Sequence, residues 1–193
     1  MMKSQVKMGA KISDYHQVHI DESACLSPYA TICGDVTIGA GSSVFAGTQI
    51  RGDCEPIVIG DMTNIQENSC LHVSAGSKLR IGNRVTIGHM AMLHGCTIDD
   101  NALVGMGSIV MDDAHIGTNC LVAAGSLVTQ GKVFEPGTLI MGSPAKAVRS
   151  LTAEEIETMI TVAADAYAQV ARAMVADGLM AHPSAEAHVW PNA

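Results

Sequence analysis

Aromatic side chains are scarce in this 193-residue sequence: two Phe, three Tyr and one Trp, only 3% of the chain. A core with so few rings has to be narrow or layered, filled by Val, Ile, Leu, Ala and Met. Basic residues are also few, 11 Lys and Arg against 19 Asp and Glu, for a formal net charge of −8. That balance argues against a nucleic-acid surface, which needs clustered Lys and Arg. No run of 18 or more apolar residues is present to span a bilayer. Met1 to Asp14 is polar and mixed, without the charged and apolar regions of a secretory signal. The expectation is a cytoplasmic protein that meets neither nucleic acid nor membrane. The six cysteines, at 25, 33, 54, 70, 96 and 120, form no CxxC pair, so a disulfide framework is not expected.

What the sequence does have is a period. Steps of six from Ile20 reach Leu26, Ile32, Ile38, Val44 and Ile50. A longer step leads to Ile59, Ile65 and Leu71, and another to Ile81, Ile87 and Leu93. A shorter one opens the run Ile98, Val104, Val110, Ile116, Val122, Val128, Phe134 and Ile140. Two residues before most of these stands a small one, such as Ala24, Ser42, Thr63, Ala91, Cys96, Ala102, Cys120 or Ser126. Small at one position and large two later is strand alternation, broken at regular intervals. Such short strands bury a face only by stacking coil upon coil. Glycines at 39, 60, 82, 88, 105 and 117, each just after a large residue, suit tight corners. The pattern resembles the hexapeptide-repeat proteins, which implies an all-β solenoid, a left-handed parallel β-helix with three faces per coil.

After Pro144 the pattern changes. Thr152 and Glu155 read as a capping box. Ile156, Met159, Ile160, Ala163, Ala164, Tyr167, Val170, Ala171 and Met174 mark one face of a helix over about 152–177, with Gly178 as its stop. The predicted organisation is a β-helix domain over 1–150, a C-terminal α-helix over 151–178 packed on the prism, and a tail over 179–193. His182, His188 and Trp190 in that tail have no pattern to place them, and its histidines are expected to be solvated.

Three large residues make one turn, so counting assigns each to a face. Ile50, Leu71 and Leu93 share a face in successive coils. Arg51, His72 and His94, which follow them, then stand in one outward column about 4.8 Å apart per step. Two imidazoles so spaced can converge on one metal ion. Cys33 belongs to the same column one coil below Arg51. His89 lies beside the preceding corner, on the face of Gln66, and points around an edge. A neighbouring chain about a threefold axis could receive it, giving three equivalent sites. His16, His19 and His115 fit no such column and read as structural or surface residues.

"IRGD" at 50–53, "TNIQENSCLH" at 63–72, "IGHMAMLHGC" at 87–96 and "GSPAKAVR" at 142–149 are similar to the gamma-class carbonic anhydrase family. The resemblance implies metal ligands at His72, His89 and His94, with His89 donated across the interface of a homotrimer. It implies that Arg51 and Asp53 are structural partners at the site, that Gln66 orients the metal-bound water, and that Asn64 assists. The implied reaction is reversible hydration of carbon dioxide to bicarbonate by a His₃-bound metal hydroxide, with Zn²⁺ as the default and Fe²⁺ or Co²⁺ as alternatives. One departure concerns proton transfer. The insertion "HVSAGSKLR" carries no Asp or Glu, and Cys54 stands where the best-characterised members have a carboxylate. Glu67, beside Gln66, is the acidic substitute. Three other functions stay open: a hexapeptide acyltransferase with a loop histidine as base, a CoA-thioester hydrolase using the same metal, and a non-catalytic subunit.

Overall fold

The computed structural model describes residues 17–183. The short strands stack in parallel register, each pairing with the strand one coil away. Thr31–Ile38 and Gln49–Ile59 bend through a corner and so join two faces into one 11-stranded sheet. The third face is an 8-stranded sheet that ends in the antiparallel strand Ala145–Ser150. The periodic large residues lie inside from Leu26 to Ile140, with Ile20 and Ile32 of the first coil packed partly against them. Ala, Ser, Thr and Cys at the alternate positions are buried as well, including Cys96 and Cys120. Burial pushes the Cys96 thiol up to about 12, so it is a small apolar filler there.

The glycines at 39, 60, 82, 88, 105 and 117 do sit at corners, and close packing rather than backbone conformation requires them there. Gly39, Gly60, Gly82, Gly88, Gly105 and Gly117 are absent from the left-handed positions of the chain. They are required because a Cβ would strike the backbone or an Asx side chain of the next coil at 2.3–2.8 Å. The left-handed corner positions instead hold Gly41, Met62, Arg84, Asn101 and Asn119, and, at a second corner, Gly47, Asn68, Met90 and Gly107.

Thr152 closes a complete capping box with Glu155, and the chain leaves the helix at Asp177 before the left-handed Gly178. Between Ala153–Glu155 and Val162–Ala176, residues Ile156–Thr161 form a π-helical turn. That turn shifts the phase of the apolar stripe. Ile160, Ala164, Ala168 and Ala171 are buried, whereas Met159 and Val170, predicted inward, are exposed. The helix crosses the third face near Cys25, Phe45 and Met180. Arg84 pairs with Asp165 at 2.9 Å and Asn101 with Thr161 at 3.3 Å, fastening helix to corner.

The start of the tail is docked. Leu26 and Ala181 exchange two backbone hydrogen bonds, and His182 Nδ1 donates to the Ala24 carbonyl at 2.9 Å, so this histidine is held rather than free. Residues 1–16, including His16, and 184–193, including His188 and Trp190, lie outside the described residues. Among those described, no helix is long and apolar enough to cross a membrane.

Candidate metal centre

Parallel register places Cys33, Arg51, His72 and His94 in one column, each paired with the next. They line a groove of about 340 Å³ together with Thr31, Gln49, Cys70 and Met92. Burial raises the Cys33 thiol, which keeps it protonated at neutral pH. Arg51 and Asp53 form the expected ion pair.

The two histidines are held end to end between two carboxylates. His72 Nε2 donates to Asp53 Oδ1 at 3.0 Å, from the coil below. His94 Nδ1 donates to Asp112 Oδ1 at 2.5 Å, from the coil above. Each ring thus spends its one proton outward. The remaining nitrogens, His72 Nδ1 and His94 Nε2, face each other at 3.0 Å. With both rings neutral, that gap holds two lone pairs and no proton, an arrangement a cation relieves. Two ligand nitrogens on one tetrahedral ion stand about 3.4 Å apart, close to the spacing found. Carboxylates behind ligating imidazoles are also the usual support of such a site. The donor set therefore fits a divalent ion. Burial lowers the His72 pKa against the opposing pull of Asp53, with the Arg51 charge adding to the lowering, and so favours the neutral ring. Burial pushes the Asp53 carboxyl up, but the bond from His72 and the charge of Arg51 outweigh it and leave Asp53 below its ordinary value.

The other predicted residues form a second cluster. His89 Nδ1 lies 2.7 Å from Glu67 Oε2, one coil below it, leaving Nε2 as the outward nitrogen. Gln66 and Asn64 are buried on the same face. Gln66 Nε2 donates to Asn64 Oδ1 at 3.0 Å, and Asn64 Nδ2 donates to Thr86 Oγ1 at 2.9 Å. This chain of bonds leaves Gln66 Oε1 as the uncommitted acceptor. Tyr167 of the helix stands edge-on to His89, its ring centroid 6.5 Å away. Burial raises its phenol, with the Glu67 charge adding to the effect. One chain therefore carries two clusters: Arg51, Asp53, His72 and His94 on one face, and Asn64, Gln66, Glu67 and His89 on another. Among the described residues, no three His, Cys, Asp or Glu side chains of one chain converge on a single point.

Known proteins share much of this sequence. A carbonic anhydrase of Geobacillus kaustophilus is 49% identical over 140 residues, 72% of this chain and 77% of that protein. The chain belongs to the gamma-class carbonic anhydrase family. The mitochondrial gamma carbonic anhydrase 1 of Arabidopsis thaliana is 41% identical over 164 residues, 82% of this chain; the chain spans only 59% of the plant protein's length. The family profile described as bacterial transferase hexapeptide (six repeats) matches residues 95–130, within the left-handed β-helix of the gamma class. A solved hexapeptide transferase family protein from Anaplasma phagocytophilum superposes with a TM-score of 0.77 at 44% identity, covering 81% of this chain and 92% of that one.

Against that gamma-class frame, Asp112 and Tyr167 are the neighbours that sequence reasoning missed. Asp112 had a readable signal: it is an acidic residue at the corner one coil above Gly95, whose carbonyl accepts from Asp113. Tyr167 had half of one: the apolar stripe set it on the packed face of the helix, but nothing local placed it beside His89. His115 pairs with Asp99 at 2.8 Å on the remaining face, a surface contact away from either cluster.

Proposed function

We propose that this protein hydrates carbon dioxide reversibly to bicarbonate at a divalent metal held by His72 and His94 of one chain and His89 of its neighbour in a homotrimer. The observation that carries the reading is the 3.0 Å approach of His72 Nδ1 to His94 Nε2, each ring backed by its own carboxylate on the other nitrogen. A third nitrogen is needed, and His89 Nε2 is freed for it by the bond of Nδ1 to Glu67. Support for a neighbouring chain comes from the exposed apolar residues around both clusters. Met92, Ile109 and Met111 flank the His94 column, and Met90 and Met106 flank His89. Contiguous exposed apolar surface of this kind is what protein contacts cover.

A divalent metal held by His72, His94 and the neighbour's His89, with Zn²⁺ the default for three imidazoles and Fe²⁺ or Co²⁺ compatible, would supply Lewis acidity to activate water. The protein's own groups do the rest. Asp53 and Asp112 accept the outward N–H groups of His72 and His94 and hold the two rings aligned. The Asn64–Thr86 tether fixes Gln66, so its free Oε1 is oriented without rotamer search to accept a hydrogen bond from the attacking oxygen. Arg51 neutralises the charge of Asp53 and offers its exposed edge to the bicarbonate anion. Glu67 is bonded to His89, so its first role is to orient that ring; a proton passing to bulk solvent would leave along the Glu67–His89–Tyr167 side, where acidic and phenolic groups lie close.

The acyltransferase reading asks for a single loop histidine acting as a base. It gives no reason for two imidazoles facing each other with their protons turned away. The test is a joint assay of metal content and carbon dioxide hydration on protein loaded with zinc, or anaerobically with iron(II), beside His94→Ala. One metal per chain with hydration, both lost in His94→Ala, is expected. Metal without hydration would shift the reading to thioester hydrolysis or a scaffold, and failure of wild-type protein to bind metal would end it.

A further inference from the structure

We infer that Asp112 is the positioning residue for His94, and that the Ser74 hydroxyl on the 73–78 turn holds Asp112 in that role. This rests on the metal reading given above. The short insertion after Leu71 carries no acidic residue of its own, yet three carboxylates reach it from neighbouring coils. Glu55 accepts from Gly76 N at 3.0 Å, Asp113 from Ser77 Oγ at 2.8 Å, and Asp112 from Ser74 Oγ at 3.3 Å. Asp112 alone among them also touches a candidate ligand. Its Oδ1 takes the His94 proton while its Oδ2 takes the Ser74 proton, so both oxygens are engaged and the carboxylate is fixed in rotation. Gly95 keeps the space open. A Cβ there would lie 2.4 Å from Asp112 Oδ1 and 2.8 Å from Ser77 Cβ, on a backbone already left-handed at φ +49°.

The consequence is chemical. Without Asp112, His94 can carry its proton on Nε2 and donate it across the 3.0 Å gap to His72 Nδ1. That histidine–histidine hydrogen bond would occupy the lone pairs a metal needs. Asp112 draws the proton to Nδ1 and keeps the gap clear. Asp113 supplies the control, because it ties the same turn without touching a histidine.

Two measurements on the full-length protein test this: Zn²⁺ affinity by competition with a chromophoric chelator, and the His94 tautomer by ¹⁵N NMR of the metal-free protein. Asp112→Ala is expected to weaken Zn²⁺ binding about 10- to 100-fold and to move His94 away from the Nδ1–H form. Asp112→Asn, which keeps an acceptor without the charge, should fall between it and wild type. Ser74→Ala should weaken binding less than Asp112→Ala, and Asp113→Asn should leave both readouts at wild-type values. Wild-type affinity in Asp112→Ala overturns the inference, as does a loss in Asp113→Asn equal to that in Asp112→Ala. If wild-type protein bound no Zn²⁺, the metal reading would fail, and the tautomer would still judge Asp112: Nδ1–H lost in Asp112→Ala supports it, and Nε2–H in wild type overturns it.

Discussion

Gly82 and Gly131 both occupy corners of the coil, but for opposite reasons. Gly131 has φ +68° with open space where a Cβ would go, while Gly82 lies outside the left-handed region and would put a Cβ 2.3 Å from Asp100 Oδ1. Asn tolerates the left-handed conformation, and Asn68, Asn101 and Asn119 already adopt it here. Gly131→Asn should therefore change stability by no more than about 0.5 kcal/mol. Gly82→Asn should cost about 1–3 kcal/mol through overpacking, or more where the backbone cannot give. Urea denaturation of the two variants separates the cases. The inward residues were readable from sequence because alternation and period act together: a large side chain every six residues admits one facing. The glycines were legible as corner residues, but sequence shows only that a side chain is missing, not whether conformation or a neighbouring coil requires its absence. At the site, register alone put His72 beside His94 and left His89 on another face. The proton assignment needed Asp112, which is remote in sequence from His94 and visible only by counting coils. Gln66 belongs to this scale too. Gln66→Leu should keep the metal bound while lowering kcat by about tenfold or more, since one oriented hydrogen bond to the reacting oxygen is lost. Metal analysis and stopped-flow hydration on the same preparation check both halves of that expectation.

The C-terminal helix is fixed mainly at its first turn and along its buried stripe. Thr152 accepts from Glu155 N at 3.1 Å, and Glu155 Oε2 accepts from Thr152 N at 2.9 Å. Thr152→Ala should cost about 1 kcal/mol, measured by thermal or urea unfolding. Arg149 also forks onto Glu155, with both contacts at 2.7 Å, and together with the Thr152 backbone bond pulls the Glu155 carboxyl from 4.5 to about 2. Because the folded value lies below the unfolded one, the stabilisation is present above about pH 4.5 and fades as pH falls towards about 2. Exposure to solvent makes it sensitive to salt. Helical circular dichroism followed through that window should fall more steeply for wild type than for Glu155→Gln, and the difference should shrink at high ionic strength. The cap was legible because its residues adjoin in sequence. The helix phase was not, since the π-helical turn at Ile156–Thr161 displaces the stripe and turns Met159 and Val170 outward. The docking of Asp165 on Arg84 and of Thr161 on Asn101 joins residues some 60 to 80 positions apart, which no local pattern records.

For the whole molecule, the governing feature is that one chain holds two histidine clusters on different faces, which the proposed function reads as half-sites. His72 and His94 stand ready on one, and His89 with Gln66 and Glu67 on the other, with exposed methionines beside both. On the proposed reading, a closed ring of three chains would bring each half against its complement and make three equivalent centres. Sedimentation should therefore give a trimer. The most direct measurement is metal content in hybrid assemblies made by co-expressing His89→Ala and His94→Ala chains in equal amounts. Assemblies of either variant alone lack a complete centre and should bind no metal. In the mixture, a centre is intact wherever a His89→Ala chain supplies His72 and His94 and its neighbour supplies His89, which random assembly gives at about one interface in four. The expected result is therefore metal at about a quarter of the wild-type content, with carbon dioxide hydration restored in proportion. Hybrids that recover no metal, while wild-type trimers made in the same way bind it fully, would contradict a centre shared between chains.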